Sequence, residues 1–117
     1  MLGYVFPDAP SILPFLEDPR TGPTSRFCAE LAVRLHCYVL AGYPERLGPE
    51  EVHTATIETK DGIIKEVEKV GANAAALYGP DGACVGHYRK TNLYDTDKTW
   101  ACAGTQTDLP RPYVRPR

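Results

Sequence analysis

The sequence predicts an α/β fold in which one helix packs on a small mixed β-sheet that contains a hairpin. Three observations favour it: an amphipathic stretch at residues 24–36, an apolar run directly after it, and a Pro-Asp-Gly turn between two apolar segments. The chain has 117 residues, enough for one small domain with one hydrophobic core. A single layer of helix on sheet is therefore expected.

The helix is predicted at residues 24–36. Pro23 stands at its first turn, where the missing N–H group of proline costs nothing. The residues that recur on one helical face are apolar, namely Phe27, Cys28, Leu31, Ala32 and Leu35. The apolar run at residues 37–43 is too short for a second helix, so a strand buried on both faces is expected there.

Residues 73–78 and 83–90 are predicted to be the two strands of the hairpin. Between them, Pro80 presets the first dihedral angle of the turn and Gly82 supplies a positive φ. This segment is the one whose local structure the sequence specifies most directly.

The charged stretch at residues 48–70 is open to two interpretations. Ile63, Val67 and Val70 have the spacing of a helix face, whereas the residues from Ile64 onward alternate as in a strand. We favour a polar insertion that ends in a strand from about Ile64 and runs into the hairpin.

Both ends of the chain are rich in proline. Residues 4–23 contain five prolines and are expected to form an irregular loop with at most a helical turn at residues 11–16. Residues 105–117 carry Pro and Arg with little to bury, and we expect this tail to be disordered. The folded domain is thus predicted at residues 1–104.

Composition excludes several classes of function. The chain has 13 Lys and Arg against 15 Asp and Glu, so a nucleic-acid surface is not expected. Its longest uncharged apolar run, at residues 37–44, is far shorter than a membrane span, and the N-terminus lacks the basic region of a signal peptide. The four cysteines are scattered without a CxxC pair, which favours reduced thiols and no metal or cofactor. Because reduced thiols are typical of the cytoplasm and nucleus, we expect the protein to be located there.

Four segments together resemble a known family. They read Gly-Tyr-Pro-Glu-Arg at residues 42–46, Asn-Ala-Ala at 73–75, Gly-His-Tyr-Arg-Lys-Thr-Asn-Leu-Tyr at 86–94, and Thr-Asp-Lys-Thr-Trp-Ala at 96–101. In this order and spacing they are similar to the carbon–nitrogen hydrolase (nitrilase) superfamily, whose members carry a Tyr-Arg-Lys segment after such a hairpin. The Thr-Asp-x-x-Trp-Ala run, with Gly3 and Tyr4, looks most like the fungal protein N-terminal asparagine amidohydrolases.

The resemblance implies part of an αββα sandwich and a Glu-Lys-Cys mechanism. A glutamate activates the cysteine thiol, and a lysine stabilises the oxyanion that forms on the substrate amide. Lys90 matches the family lysine. The family glutamate and cysteine match no position here, because their places fall before Met1 and after Arg117. The resemblance therefore implies a fragment that hydrolyses no amide on its own.

Three other side chains have possible roles beside Lys90. Glu45 could pair with Lys90 and orient it, although a surface carboxylate explains Glu45 equally well. Cys102 follows the lysine but belongs to a loop instead of a nucleophile turn. His87 is one residue out of phase with Lys90 on a strand, so it is expected to face away from the site.

The parent reaction implied by the resemblance is deamidation of an N-terminal Asn or Gln, with protein N-termini as partners. The alternative is a non-catalytic remnant or interaction module, and a homo-oligomer is compatible with either function.

Because the second sheet of a sandwich is missing, we expect some residues of a set of four strand residues to be exposed: Val39, Ala41, Ala75 and Leu77. Trp100 and Tyr94 are expected to pack under a loop or to line a pocket.

Overall fold

The computed structural model describes residues 5–105; Gly3, Tyr4 and the predicted tail beyond Thr105 lie outside the described residues. The helices are α1, Ala9–Ile12, and α2, Pro23–Leu35, with a 3-10 turn at Leu13–Phe15. The strands are β1, Val39–Arg46; β2, His53–Glu58; β3, Ile64–Lys69; β4, Gly71–Tyr78; and β5, Cys84–Arg89. The predicted combination of helix, strand and hairpin is confirmed.

The described strands form one three-stranded sheet in the order β1-β4-β5 and a separate two-stranded ribbon, β2-β3. All pairings between these strands are antiparallel, so the expectation of a mixed sheet is wrong. The cause is the path of the chain. The β2-β3 ribbon returns the chain to the end of β1, where the Leu47 N–H donates to the Val70 carbonyl, and β4 then runs back along β1.

Helix α2 begins and ends one residue before its predicted limits. Its N-terminus is capped from a distance, because the Glu17 carboxylate accepts hydrogen bonds from Thr24 N (2.7 Å) and Thr24 Oγ1 (2.9 Å). At its C-terminus, His36 takes the left-handed conformation with φ 51°. The Cys37 N–H still donates to the helix, at Ala32 O, which delays the start of β1 to Val39.

The β2-β3 ribbon is the element that the sequence reasoning missed in part. The strand predicted from Ile64 is confirmed, but the predicted polar insertion contains its partner strand, His53–Glu58. The available signal was Asp61-Gly62 between two alternating segments, and Gly62 has the positive φ of 79° that a tight turn requires.

The N-terminal segment contains more structure than the expected single turn. Asp8 caps α1 by accepting a hydrogen bond from Ser11 N, and the 3-10 turn follows directly. Ile12 and Leu16 then pack on Trp100, which is fully buried. The segment therefore anchors the region just after β5.

The two faces of the three-stranded sheet differ. On one face, α2 covers a cluster that includes Tyr43, Ala74, Ala76 and Tyr78. The other face presents Leu40, of which 70% is exposed, so the expectation that this strand is buried on both faces is wrong. The four strand residues named for exposure, Val39, Ala41, Ala75 and Leu77, are all half-buried. Only Ala75 and Leu77 lie on this open face, so the expectation fails for Val39 and Ala41, which pack against the cluster under α2. Among residues 5–105, no helix is long and apolar enough to span a membrane.

Candidate active site

Lys90 directly follows β5 and extends its pairing with β4, since its N–H donates to the Asn73 carbonyl at 2.8 Å. Side chains alternate between the two faces of a strand, so Arg89 and Lys90 point to opposite faces. Arg89 lies on the α2 side with Glu45, and Lys90 lies on the other side. The position of Lys90 at a strand end also places it beside the following loop, whose Gly104 N–H donates to the Lys90 carbonyl.

Two groups hold the Lys90 ammonium. Nζ donates to Asp97 Oδ2 at 2.8 Å, and it lies 3.5 Å from the centroid of the Tyr94 ring. The carboxylate supplies an opposite charge, while the aromatic face adds a cation–π attraction. About a quarter of the Lys90 side chain remains exposed. The charged end is therefore fixed in place and still open to a ligand.

Asp97 is a buried carboxylate with several donors. Its Oδ2 accepts from Tyr94 N at 2.9 Å and its Oδ1 accepts from Asn73 Nδ2 at 3.1 Å, in addition to the Lys90 bond. Burial alone would raise the pKa of Asp97, but the hydrogen bonds from Lys90, Tyr94 and Asn73 outweigh it and lower the pKa. Asp97 thus stays ionised at neutral pH and opposes the positive charge of Lys90.

The loop after β5 positions Asp97. A turn forms where the Asp97 N–H donates to Tyr94 O, and the Asp97 carbonyl in turn accepts from Ala101 N at 2.8 Å. Trp100, fully buried, fastens this loop to the N-terminal segment. The Thr-Asp-x-x-Trp-Ala run did not by itself predict a role for Asp97. The sequence feature that could have indicated this role is a carboxylate seven residues after the candidate lysine, in a short loop.

The proposed contact between Glu45 and Lys90 is not formed. Glu45 is buried on the opposite face, where its two oxygens accept from Arg89 Nε (2.9 Å) and Arg89 Nη2 (2.6 Å). The strand alternation that separates Arg89 from Lys90 is the reason, because Glu45 lies on the face that α2 covers. The orienting carboxylate at Lys90 is Asp97.

The Arg89 pair continues into a wider network. Arg89 also donates to Glu51, with Nη1 at 2.7 Å from Oε2, and hydrogen bonds to Glu45 and then Glu51 raise the pKa of Arg89. His87 Nε2 lies 2.7 Å from the Tyr43 hydroxyl and 3.4 Å from Glu45. His87 therefore faces away from Lys90, as expected.

Cys102 does not contact the ammonium of Lys90. Burial raises the pKa of the Cys102 thiol, and the nearby charges include those of Arg89, Glu51 and Lys69. A half-buried thiol with a raised pKa is a poor nucleophile. The structure is therefore consistent with Cys102 as a loop residue.

The two aromatic residues differ in their surroundings. Trp100 packs in the core under the loop, whereas 72% of Tyr94 is exposed beside Lys90.

Within residues 5–105, no three His, Cys, Asp or Glu side chains are grouped closely enough to hold a metal ion.

Comparisons with known proteins give consistent matches, although no family profile matches the chain. The chain is 30% identical over 106 residues to the protein N-terminal amidase of Schizosaccharomyces pombe and 28% identical over 102 residues to that of Saccharomyces cerevisiae. A crystal structure of an N-terminal amidase with an Asn-Glu-Ala peptide superposes with a TM-score of 0.61 at 29% identity. The chain is therefore similar in sequence and in fold to part of these amidases.

The matches cover most of this chain but only a small part of each relative. The alignments cover 87% and 89% of this chain but 18% and 32% of the budding- and fission-yeast relatives. The superposition likewise covers 86% of this chain and 19% of the solved amidase, and a second structure of it, with a Gln-Gly peptide, matches equally. The chain thus spans a fifth to a third of the length of the amidases that it matches, and the fold is that of one part of their domain.

Proposed function

We propose that this chain carries the lysine-bearing part of an amidohydrolase that removes the side-chain amide of an N-terminal Asn or Gln. The observation that carries the proposal is the Lys90 ammonium, fixed by Asp97 and Tyr94 at the open face of the sheet. The match to N-terminal amidases, some of them solved with Asn- or Gln-peptides, supports the substrate class. Membership of the nitrilase superfamily and a location in the cytoplasm or nucleus belong to the same proposal.

Lys90 has a defined role in this reaction. A cysteine thiolate attacks the amide carbon, and the carbonyl oxygen gains negative charge that a nearby ammonium stabilises. Ammonia leaves, and water then hydrolyses the thioester to give the acid and free the thiol. Asp97 keeps the Lys90 ammonium in place, because its buried carboxylate is the ion-pair partner of Nζ.

The base and the nucleophile of that mechanism match no residue of the described part of the chain. Glu45 is occupied by Arg89 on the other face, and Cys102 does not bond to Lys90 Nζ. A lysine alone has no oxyanion to stabilise, and loss of the nucleophile costs several orders of magnitude in rate. We therefore expect the isolated chain to hydrolyse no amide.

A second candidate function is a non-catalytic interaction module. Leu40, with 70% of its surface exposed, lies on the sheet face that α2 leaves open, together with the half-buried Leu77 and Ala75. An exposed apolar sheet face is typical of a surface that associates with another protein element. This candidate predicts binding without turnover.

The first experiment measures ammonia release by the purified chain from peptides that begin with Asn or Gln. We expect none from the chain or from its Lys90→Met and Cys102→Ala variants. Release that Cys102→Ala abolishes would contradict the assignment and identify Cys102 as the nucleophile.

A chimera tests the proposal for the parent reaction. The segment of the fission-yeast amidase that aligns with this chain is replaced by residues 5–105, and ammonia release is measured. An active chimera that Lys90→Met inactivates supports the amidase function. A folded but inactive chimera would contradict it and favour the interaction module.

A further inference from the structure

A cavity of about 720 Å³ opens on the sheet face opposite Lys90, between α2 and β5. Its lining includes Arg20 of the turn before α2, Ser25 and Arg26 of α2, and Tyr78 and His87 of the sheet. Its size falls within the usual range for small-molecule sites. We propose that it binds the oxyanion of a small organic ligand, a phosphate or a carboxylate, through Arg20 and Arg26.

The charge around the cavity favours an anion. The side chains of Arg20 and Arg26 make no hydrogen bond or ion pair within the described residues. The acidic residue in the lining, Glu45, has both of its oxygens bonded to Arg89. Two guanidinium groups therefore remain available, and guanidinium is the side-chain cation that best fits the geometry of an oxyanion.

Hydrogen bonds fix the turn that presents Arg20. Asp18 Oδ1 accepts from Arg20 N at 2.8 Å and from Thr21 N at 3.1 Å. Ser25 Oγ donates to the Arg20 carbonyl at 3.1 Å, and it lies 2.6 Å from the Tyr78 hydroxyl. Because the Ser25 proton is used at the carbonyl, Tyr78 is the donor in this second bond. The turn that carries Arg20, helix α2 and the buried Tyr78 are thus joined by hydrogen bonds beside the cavity before any ligand binds.

The lining also suits the organic part of such a ligand. Pro19, Ala29 and the ring of Tyr78 provide apolar surface next to the two arginines. His87 uses Nε2 toward Tyr43, and its Nδ1 has no partner among residues 5–105, which leaves one further polar group. A site of apolar walls with a few polar groups is typical of small-ligand recognition.

The test is an NMR titration of the full chain with phenyl phosphate and with benzoate, with neutral benzamide as the matched probe. We expect saturable shifts at Arg20, Ser25 and His87 with at least one of the two anions and none with benzamide. Arg20→Gln and Arg26→Gln should each weaken binding by at least about tenfold, because each removes one charged hydrogen-bond donor. Arg34→Gln, at an exposed arginine of α2 that does not line the cavity, should leave the affinity unchanged.

Each outcome has a defined meaning. Saturation with phenyl phosphate alone indicates a phosphate ligand, and saturation with benzoate indicates that a carboxylate suffices. No saturation with either anion would overturn the proposal. Equal weakening by Arg34→Gln, or binding of benzamide with the same affinity, would also overturn it. Amide dispersion in the same spectra establishes that every variant is folded, and none of these residues contacts Lys90, so failure here leaves the amidase proposal intact.

Discussion

Arg89 and Lys90, which are adjacent in sequence, lie on opposite faces of the three-stranded sheet and have different surroundings. Arg89 is directed under α2, where Glu45 and Glu51 surround its guanidinium with carboxylates. Lys90, the next residue, is directed to the open face, where a single carboxylate and one aromatic ring hold it. Arg89 has its donors used in structure, whereas Lys90 keeps part of its surface accessible. The comparison supports the proposal that Lys90, and not Arg89, takes part in a reaction.

The largest effect on stability is expected at Glu45. Glu45→Gln removes the buried charge that pairs with Arg89 and should lower the free energy of unfolding by about 3 kcal/mol. The measurement is urea denaturation, and Glu58→Gln is the matched control because Glu58 is exposed at the end of β2. A loss at Glu45 no larger than at Glu58 would remove the distinction between the two faces.

Asp97→Asn should cost about 2 kcal/mol at neutral pH, since it removes a charged partner of Lys90. The folded-state pKa of Asp97 lies below its unfolded value, so its contribution is present above about pH 4 and is lost as pH falls through the folded pKa. The difference between wild type and variant should therefore shrink in acid.

Unfolding curves from pH 7 to pH 2 measure that difference for Asp97. Asp61→Asn, in the exposed turn of the ribbon, is the control and should show no such trend. A constant gap at all pH values would mean that Asp97 acts through its shape instead of its charge.

Two adjacent alanines compare the faces directly. Ala76 is 3% exposed and lies in the cluster under α2, whereas Ala75 is half-buried on the open face. Ala76→Leu should destabilise the chain by at least about 1 kcal/mol through overpacking. Ala75→Leu should change stability by less than about 0.5 kcal/mol. Equal thermal denaturation midpoints for the two variants would show that both faces are equally packed.

The smallest effect is expected at Tyr94. Tyr94→Leu removes the ring under the Lys90 ammonium and should cost about 0.5 kcal/mol, as is usual for an exposed cation–π pair. Tyr94→Phe keeps the ring and should match the wild type in the same denaturation experiment. If Phe and Leu behave alike, the ring does not hold the lysine.

Much of the fold follows from local sequence signals. Helix α2 and the β4-β5 hairpin were predicted within one or two residues, because Pro23 and the Pro-Asp-Gly turn determine them locally. The antiparallel direction of β1 and β4 depends on the path of the ribbon between them, which no local pattern records.

The candidate site, like the fold, could be predicted from the sequence only where local patterns determine it. The position of Lys90 followed from its motif and strand phase, and the same phase correctly turned His87 away from it. Neither alternative for Glu45, a partner of Lys90 or a surface carboxylate, is correct, because the face on which it is buried depends on the pairing of β1 with β4. Asp97 reaches Lys90 through a loop whose shape depends on the burial of Trp100, so its role required the tertiary structure.

The central claim is that Lys90, and not its neighbour Arg89, belongs to the reaction. The most direct measurement compares Lys90→Met and Arg89→Met in the amidase chimera, at a temperature where circular dichroism shows both variants folded. We predict that Lys90→Met lowers kcat/KM by at least about 1000-fold, since the oxyanion loses its cation, while Arg89→Met lowers the melting temperature and keeps kcat/KM within about tenfold. Equal loss of activity in the two variants, or activity that survives Lys90→Met, would contradict the account.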